Sequence, residues 1–278
     1  MTWKYTDKDY TDYTRSTWNE AASAYVDWSR NLAPYRADVI QAVRPRTNER
    51  FLDLATGPGE PALTIARRVG PGGQAVGVDI SREMISIARR TARAEGLTHA
   101  KFLTMDCTRL SFPAAKFDAV VSCFGFQIFS DPEVVAHEAH RVLRPGGRIA
   151  ASIWGPGEKT AVLDAIMGPM LQHAEPDESG YLPSPYELGG PGQLSEFFRN
   201  AGFERPRERR VSHVSHYRDA ADYLCSIKRS TPIGHSLSEE SAKVQAEVER
   251  ETRRNLRRWT SRTGIDLPGE SVIVTARR

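Results

Sequence analysis

The stretch RFLDLATGPGEPALTIARRVGPGG (50–73) decides the fold. A short apolar run, RFLDLA (50–55), gives way to Gly57-Pro58-Gly59. Helical spacing then carries PALTIARRV (61–69) to the stop signal Gly70-Pro71-Gly72-Gly73. Strand, glycine turn and helix form the first half of a parallel α/β unit. The pattern repeats downstream. QAVGVDI (74–80) reads as a strand, and SREMISIARRTARAEG (81–96) as a helix capped by Ser81 and closed at Gly96. AKFLTMD (100–106) and FDAVVSC (117–123) are further strands. DPEVVAHEAHRVLRPGG (131–147) is a helix running from an Asp cap to a Pro-Gly-Gly stop, and RIAASIW (148–154) is a fifth strand. Alternation of this kind predicts an α/β, doubly wound, mostly parallel sheet.

The flanks are less regular. Residues 1–30 are polar and aromatic, with Trp3, Tyr5, Tyr10, Tyr13, Trp18, Tyr25 and Trp28. Residues 155–235 are rich in Pro, Gly and His. Within them KTAVLDAIMGPMLQHA (159–174) predicts a helix broken at Gly168-Pro169, and QLSEFFRNAGF (193–203) a short amphipathic helix. RERRVSHVSHY (207–217) reads as a strand, and RDAADYLCSI (218–227) as a helix. SEESAKVQAEVERETRRNLRRWTSR (238–262) predicts one long helix, and SVIVTAR (271–277) a closing strand.

Composition narrows the class. The chain has 278 residues, enough to bury a full core without disulfides or a structural metal. Hydrophobic residues make up 40% and charged residues 26%, which excludes disorder throughout. No apolar run approaches a membrane span, and MTWKYTDKDYTDYTRS (1–16) lacks the apolar centre of a secretory signal. Three cysteines without C-x-x-C spacing argue against a disulfide framework or a zinc site, so no metal is expected and the setting is a reduced cytoplasm. A net charge of +3 implies no polyanionic partner.

The glycine loop marks a ligand crevice. Glycines there let the backbone turn tightly and approach a ligand, and the next helix offers free N–H groups. Gly57-x-Gly59-x-x-Ala62 also satisfies the dinucleotide fingerprint, with Asp79 about 20 residues on. The flanking acids separate the two readings. Asp53, on the first strand, repels a pyrophosphate and attracts an ammonium. Asp79 suits the two hydroxyls of a ribose, and Asp106 accepts from an exocyclic amine. S-adenosylmethionine carries those groups and no phosphate.

DLATGPG (53–59), GVDIS (77–81), MDC (105–107), FDAVVSCFGFQIF (117–129) and LRPGG (143–147) together resemble class I S-adenosylmethionine-dependent methyltransferases, over roughly residues 18–155. Among these the chain looks most like the small-molecule branch, which includes quinone-biosynthesis and natural-product methyltransferases. The resemblance implies a Rossmann-like sheet of seven strands, the last antiparallel, with strands six and seven supplied by RERRVSHVSHY and SVIVTAR. It implies a partly helical substrate lid and four regions. These are an aromatic helical segment covering the active site (1–34), a cofactor-binding core (35–154), a lid insertion plus sixth strand (155–235), and a helix with the closing strand (236–278).

The resemblance also implies site residues. Asp53, Ala55, Thr56, Gly57 and Gly59 would hold the methionine part of the cofactor. Asp79 would bind the ribose, with Ile80 and Met84 lining the adenosine pocket. Asp106 would accept from the adenine amine, with Met105 and Cys107 packing the ring. Ser122 and Cys123 would lie near the methionine amine, and Phe124 and Gln127 would face the transferred methyl. Tyr25 matches the position of an aromatic near the cofactor in related enzymes. Tyr181 and Tyr186 would contact substrate from the lid.

In-line displacement at a sulfonium needs alignment more than a dedicated catalytic group. Candidate bases are His173, His213, His216, Tyr181 and Tyr186. His213 and His216 face opposite sides of a strand, so at most one points at a site; His216 is the choice here, with Tyr25 as the second catalytic candidate. The expected function is methyl transfer from S-adenosylmethionine, leaving S-adenosylhomocysteine, to an oxygen or carbon of a hydrophobic or aromatic small molecule in secondary metabolism. Three alternatives stand beside it: an NAD-dependent oxidoreductase, a nucleic-acid methyltransferase, and a repurposed fold that catalyses cyclisation without methyl transfer. The aromatic N-terminal segment also offers a surface for a homo-oligomer.

Overall fold

The computed structural model describes residues 7–173, 186 and 188–278, with side chains from residue 11 onward. Seven strands form one sheet: β1 (Arg50–Leu54), β2 (Gln74–Asp79), β3 (Ala100–Thr104), β4 (Phe117–Cys123), β5 (Leu143–Trp154), β6 (Glu204–Tyr217) and β7 (Ile265–Arg277). Their order is β3-β2-β1-β4-β5-β7-β6. Strands β1 to β5 pair in parallel, and β7 runs antiparallel between β5 and β6. The seven-stranded, mostly parallel sheet expected above is therefore present, with β7 the reversed strand.

Ten helices among the described residues surround it: α1 (Asp7–Trp28), α2 (Ala33–Val43), α3 (Ala62–Val69), α4 (Arg82–Ala94), α5 (Pro132–Val142), α6 (Ala161–His173), α7 (Gln193–Asn200), α8 (Ala220–Ser230), α9 (Pro232–Glu239) and α10 (Ala242–Leu256). Period-two alternation sends Phe51 and its neighbours toward α2 and α3, while Leu52 and Leu54 pack toward α5 and α7. Both faces of the central strands are thus covered, which is why β1, β2 and β4 read as continuous apolar runs. Helix starts follow their caps. Ser81 Oγ accepts from Met84 N at 3.1 Å, and Asp131 Oδ1 from Val134 N at 2.9 Å. No helix among the described residues is long and apolar enough to cross a membrane.

Two sequence expectations are corrected. Residues 161–173 form one unbroken helix that contains Pro169. Proline removes the N–H that the Ala165 carbonyl would accept, and Asn255 Nδ2 of α10 donates to that carbonyl at 3.5 Å instead. A tertiary contact thereby tolerates the proline. The long helix expected over 238–262 is two helices. α9 ends at Glu239, Glu240 is extended with ψ 160°, and Ser241 caps α10 by accepting from Val244 N at 3.3 Å.

Candidate active site

The carboxyl ends of β1, β2 and β4 open into one pocket where the strand order reverses, the ordinary ligand position in an open α/β sheet. Its floor is made by the residues that end the strands or follow them: Ala55 and Gly57, Asp79 and Ile80, Met105, Asp106 and Cys107, and Cys123. Met84, in the first turn of α4, completes that end.

The loop after β1 is held in a form that exposes its backbone. Ala55, Gly57 and Gly59 all have positive φ, at 55°, 55° and 114°. Gly57 suits this turn because of its left-handed φ; a Cβ there would meet the Tyr25 ring only at an ordinary contact distance of 3.7 Å. Gly59 serves another purpose. A Cβ there would lie 2.8 Å from Leu63 Cδ1 and 3.1 Å from Ala88 Cβ, so this glycine lets α3 and α4 pack closely.

The three acids expected from sequence converge, in different layers. Asp79 Oδ2 accepts from Gly57 N at 2.8 Å and its Oδ1 from Ser81 N at 2.9 Å. Each oxygen keeps lone-pair capacity for a further donor. Burial raises the Asp79 carboxyl above its ordinary range, against the backbone donors that lower it. Asp106 Oδ1 accepts from Thr108 N and Thr108 Oγ1, both at 2.8 Å. Asp53 lies one layer below the pocket surface and is 1% exposed. Its Oδ2 accepts from Thr56 Oγ1 at 2.6 Å and from Ala62 N at 3.1 Å, while its buried Oδ1 has no protein partner. Burial pushes the Asp53 carboxyl up to about 8.

That arrangement bears on the dinucleotide alternative. The first N–H of α3, the one a pyrophosphate would use, is already bonded to the Asp53 carboxyl. The orphaned Asp53 Oδ1 instead suits a donor-bearing group above it, directly or through water. The residues present therefore fit a ligand with an ammonium group and ribose hydroxyls. Among the described residues that line the pocket the charged side chains are Asp79 and Asp106, with no cationic side chain. Such a lining favours a cationic ligand.

Away from the strand ends the wall becomes apolar. Phe124 follows β4 with φ 61° and stacks on Trp154 at 4.2 Å between ring centroids. Gln127 lines the pocket and accepts from Trp154 N through Oε1 at 2.8 Å, which ties the wall to the end of β5. Tyr25 stands edge-on to Trp18 at 5.2 Å and packs against Trp28 at 5.5 Å. Burial raises the Tyr25 hydroxyl well above its ordinary range, so at neutral pH it is a donor and not a base.

Several expected site residues lie elsewhere. Thr56, Gly59 and Ser122 are, like Asp53, beneath the pocket surface, and Ser122 Oγ donates to Leu54 O at 3.1 Å. His216 is outside the pocket. It sits on the edge strand β6 in register with Asp266, where Nδ1 and Asp266 Oδ1 are 2.8 Å apart and the side chain is 52% exposed. His213 turns to Asp38 at 2.6 Å, and His173 to Glu251 at 3.1 Å. Tyr186 does not line the pocket. The missing side chain of Gly157 admits its ring, and Tyr186 packs into the apolar cluster around Trp154. Tyr181 lies outside the described residues.

Sequence reading missed the far wall. Leu163, Met167 and Met170, spaced four and three apart on α6, face the pocket, as do Thr231, Pro232, Ile233 and Ser236 at the start of α9. The spacing was legible as an apolar stripe, but nothing in it distinguished a pocket wall from core.

Residues 51–147 match the methyltransferase domain family. The chain is 42% identical over 127 residues to the demethylmenaquinone methyltransferase of Thermus thermophilus, a match covering 46% of this chain and 57% of that protein. It is 32% identical over 186 residues to the nocamycin O-methyltransferase of Saccharothrix syringae, covering 63% of this chain and 66% of that one. These matches thus span between about half and two thirds of the two relatives. The phosphoethanolamine N-methyltransferase 2 of Haemonchus contortus, in complex with S-adenosyl-L-methionine, superposes with a TM-score of 0.58 at 18% identity, over 99% of this chain and 60% of that one; at this identity the likeness is one of fold. Residues 51–147 are thus a methyltransferase domain, and over about half to two thirds of their lengths the chain is similar to two methyltransferases named for small molecules.

Proposed function

We propose that this protein methylates an oxygen or carbon of a hydrophobic, aromatic small molecule. The observation that carries the reading is the continuity of one pocket from an acidic, glycine-turned end to an aromatic and aliphatic chamber. S-adenosylmethionine supplies an electrophilic methyl group on a sulfonium. The Ala55–Gly57 backbone, Asp79, Asp106, Met84 and Met105 would hold it, with Asp53 beneath as acceptor for its ammonium side. Phe124, Trp154, Leu163, Met167 and Met170 would seat the acceptor by burying its apolar surface, which also excludes water. Tyr25 and Trp18 would close over the junction as an aromatic face suited to a cation. Alignment would supply the rate enhancement, with neither Tyr25 nor His216 required as a base.

The reading extends to a reduced, cytoplasmic setting in secondary metabolism, in keeping with three free thiols at Cys107, Cys123 and Cys225. The lid role of 155–235 and the covering role of 1–34 belong to the same proposal. It is tested by calorimetric titration with S-adenosylmethionine, S-adenosylhomocysteine and NAD in parallel, followed by mass-spectrometric screening of phenols, quinones and prenylated aromatics. Saturable binding of the first two alone, with a mass gain of one methyl on an acceptor, is the expected result. Binding of NAD without the sulfur nucleosides would overturn it.

A further inference from the structure

A second groove lies at the opposite end of the sheet from the pocket. It is bounded by the C-terminal end of α2 and by β5, β7 and β6, and seven arginines line it: Arg44, Arg46, Arg148, Arg205, Arg207, Arg209 and Arg277. They come from four separate stretches of sequence, and only the fold brings them together.

Three of them are crowded on one face of the sheet. Arg148 and Arg277 are direct partners across the antiparallel β5–β7 pair, so their side chains leave the same face. Arg207 is the partner of Thr275, two residues before Arg277, and therefore stands on the same face as its diagonal neighbour. Like charges set directly opposite in a sheet destabilise it. A bulge at the start of β6, with Arg205 at φ 51°, adds a further arginine to the rim.

Three acids near the groove are already engaged. Glu49 pairs with Arg148 at 2.7 Å, and the same guanidinium donates to Arg44 O at 2.7 Å. Asp38 pairs with Arg209 at 3.2 Å and His213 at 2.6 Å. Glu208 is bonded to Arg210 at 3.1 Å and to Gly192 N at 3.0 Å. Glu204 is in register with Arg277 but forms no ion pair with it. Arg44, Arg205, Arg207 and Arg277 are exposed and have no acidic partner within ion-pair distance among the described residues.

We propose that this groove is a second binding site, for a multiply charged anion of the di- or triphosphate class. Guanidinium forks match phosphate oxygens in pairs, and several forks on one face suit a chain of linked phosphates. The lining contains no aromatic ring on which a base could stack, which argues against single-stranded nucleic acid as the occupant. Because the groove sits at the amino ends of the parallel strands, its ligand would not touch the methyl-transfer pocket.

The test is calorimetric titration of the full chain with inorganic tripolyphosphate, ATP and adenosine at low ionic strength, alongside thermal denaturation. Saturable tripolyphosphate binding and a raised Tm are expected, and both should weaken at high salt. The double variant Arg207→Gln/Arg277→Gln should lose at least about tenfold in affinity. It should keep its affinity for S-adenosylmethionine, and in the absence of anion its Tm should equal or exceed that of the natural chain. Arg253→Gln, an exposed arginine on α10, should bind like the natural chain. Equal affinity for ATP and tripolyphosphate identifies the phosphate chain as the recognised group; tighter ATP binding, with adenosine silent, identifies a nucleotide. Absence of saturable binding, equal binding by the double variant, or competition with S-adenosylmethionine would overturn the proposal. So would an RNA oligonucleotide that binds more tightly than tripolyphosphate with the same dependence on Arg207 and Arg277.

Discussion

The two ends of the methyl-transfer pocket are built on different principles. At the strand end, most wall residues stand at or just after the last residue of a strand, as Ala55, Asp79, Asp106 and Cys123 do. The sheet's topology delivers those positions, and the chemistry needed there is backbone N–H groups and carboxylates. At the chamber end, the wall is side chains of α1, α6 and α9. These are joined by contacts as remote as Tyr13 to Ser236, whose hydroxyls meet at 2.9 Å across 223 positions. In the proposed reading the first end would recognise a fixed donor through hydrogen bonds. The second would select an acceptor through apolar shape, which many side-chain combinations can satisfy. Substitutions that act on one end and spare the other measure how separate the two are.

The largest effect is expected at Asp79. In the proposed reading Asp79→Ala removes the acceptor for the ribose, and it leaves Gly57 N and Ser81 N without their partner. Each lost charge-assisted bond costs about 1.5–3 kcal/mol, so affinity for S-adenosylmethionine should fall by about a hundredfold in calorimetry. Unchanged binding would remove Asp79 from the cofactor site.

Asp53→Asn should weaken the same binding less, by about tenfold, because the asparagine amide presents one acceptor oxygen and no charge. The pH dependence of the ligand-free protein gives an independent readout. The Asp53 carboxyl is raised in the folded state to about 8, so its contribution to stability is full below the unfolded pKa near 4 and is lost as pH rises through 8. Chemical denaturation should therefore find natural-chain stability falling from pH 5 to 9 more steeply than that of the Asp53→Asn variant, by an amount on the order of one proton's linkage.

Met167→Leu conserves volume at the chamber end and should cost less than about 1.5 kcal/mol in stability. Acceptor KM should shift by a few-fold, in the range of about 1 kcal/mol of lost fit, with cofactor affinity unchanged. A parallel change in cofactor affinity would break the separation of the two ends. Ala55→Gly tests strain at the strand end. Relief of the left-handed conformation at φ 55° is worth about 1–2 kcal/mol, partly offset by glycine's unfolded-state entropy, so Tm should rise slightly or stay level. The smallest effect belongs to His216→Ala. Its contact with Asp266 is exposed and outside the pocket, so kcat/KM should stay within about twofold, which a pH–rate profile of both proteins would check.

Legibility from sequence followed how local the determining interaction is. The caps at Ser81 and Asp131, the glycine loop, and the acids ending β1 and β2 are local facts, and all appear where the pattern predicts. His216 was misplaced because strand periodicity states only that His213 and His216 face opposite sides. Which side carries the site depends on β6 being the outermost strand. Tyr186 was misplaced because its ring enters space that Gly157 leaves, a fit between residues 29 positions apart that no pattern encodes. Pro169 reads as a break until Asn255 supplies the missing donor from another helix.

The alternation of strands and helices, the glycine turn and the acid at or near each of three strand ends are legible in the amino-acid pattern alone. These rest on interactions within a few residues and on backbone periodicity. Long-range packing placed α6 and α9 at the chamber wall, set Asp53 beneath the pocket with one oxygen unpartnered, and brought arginines from four stretches into one groove. Those outcomes depend on which strand lies at the edge and on which helices meet, and both are set by packing over the whole chain.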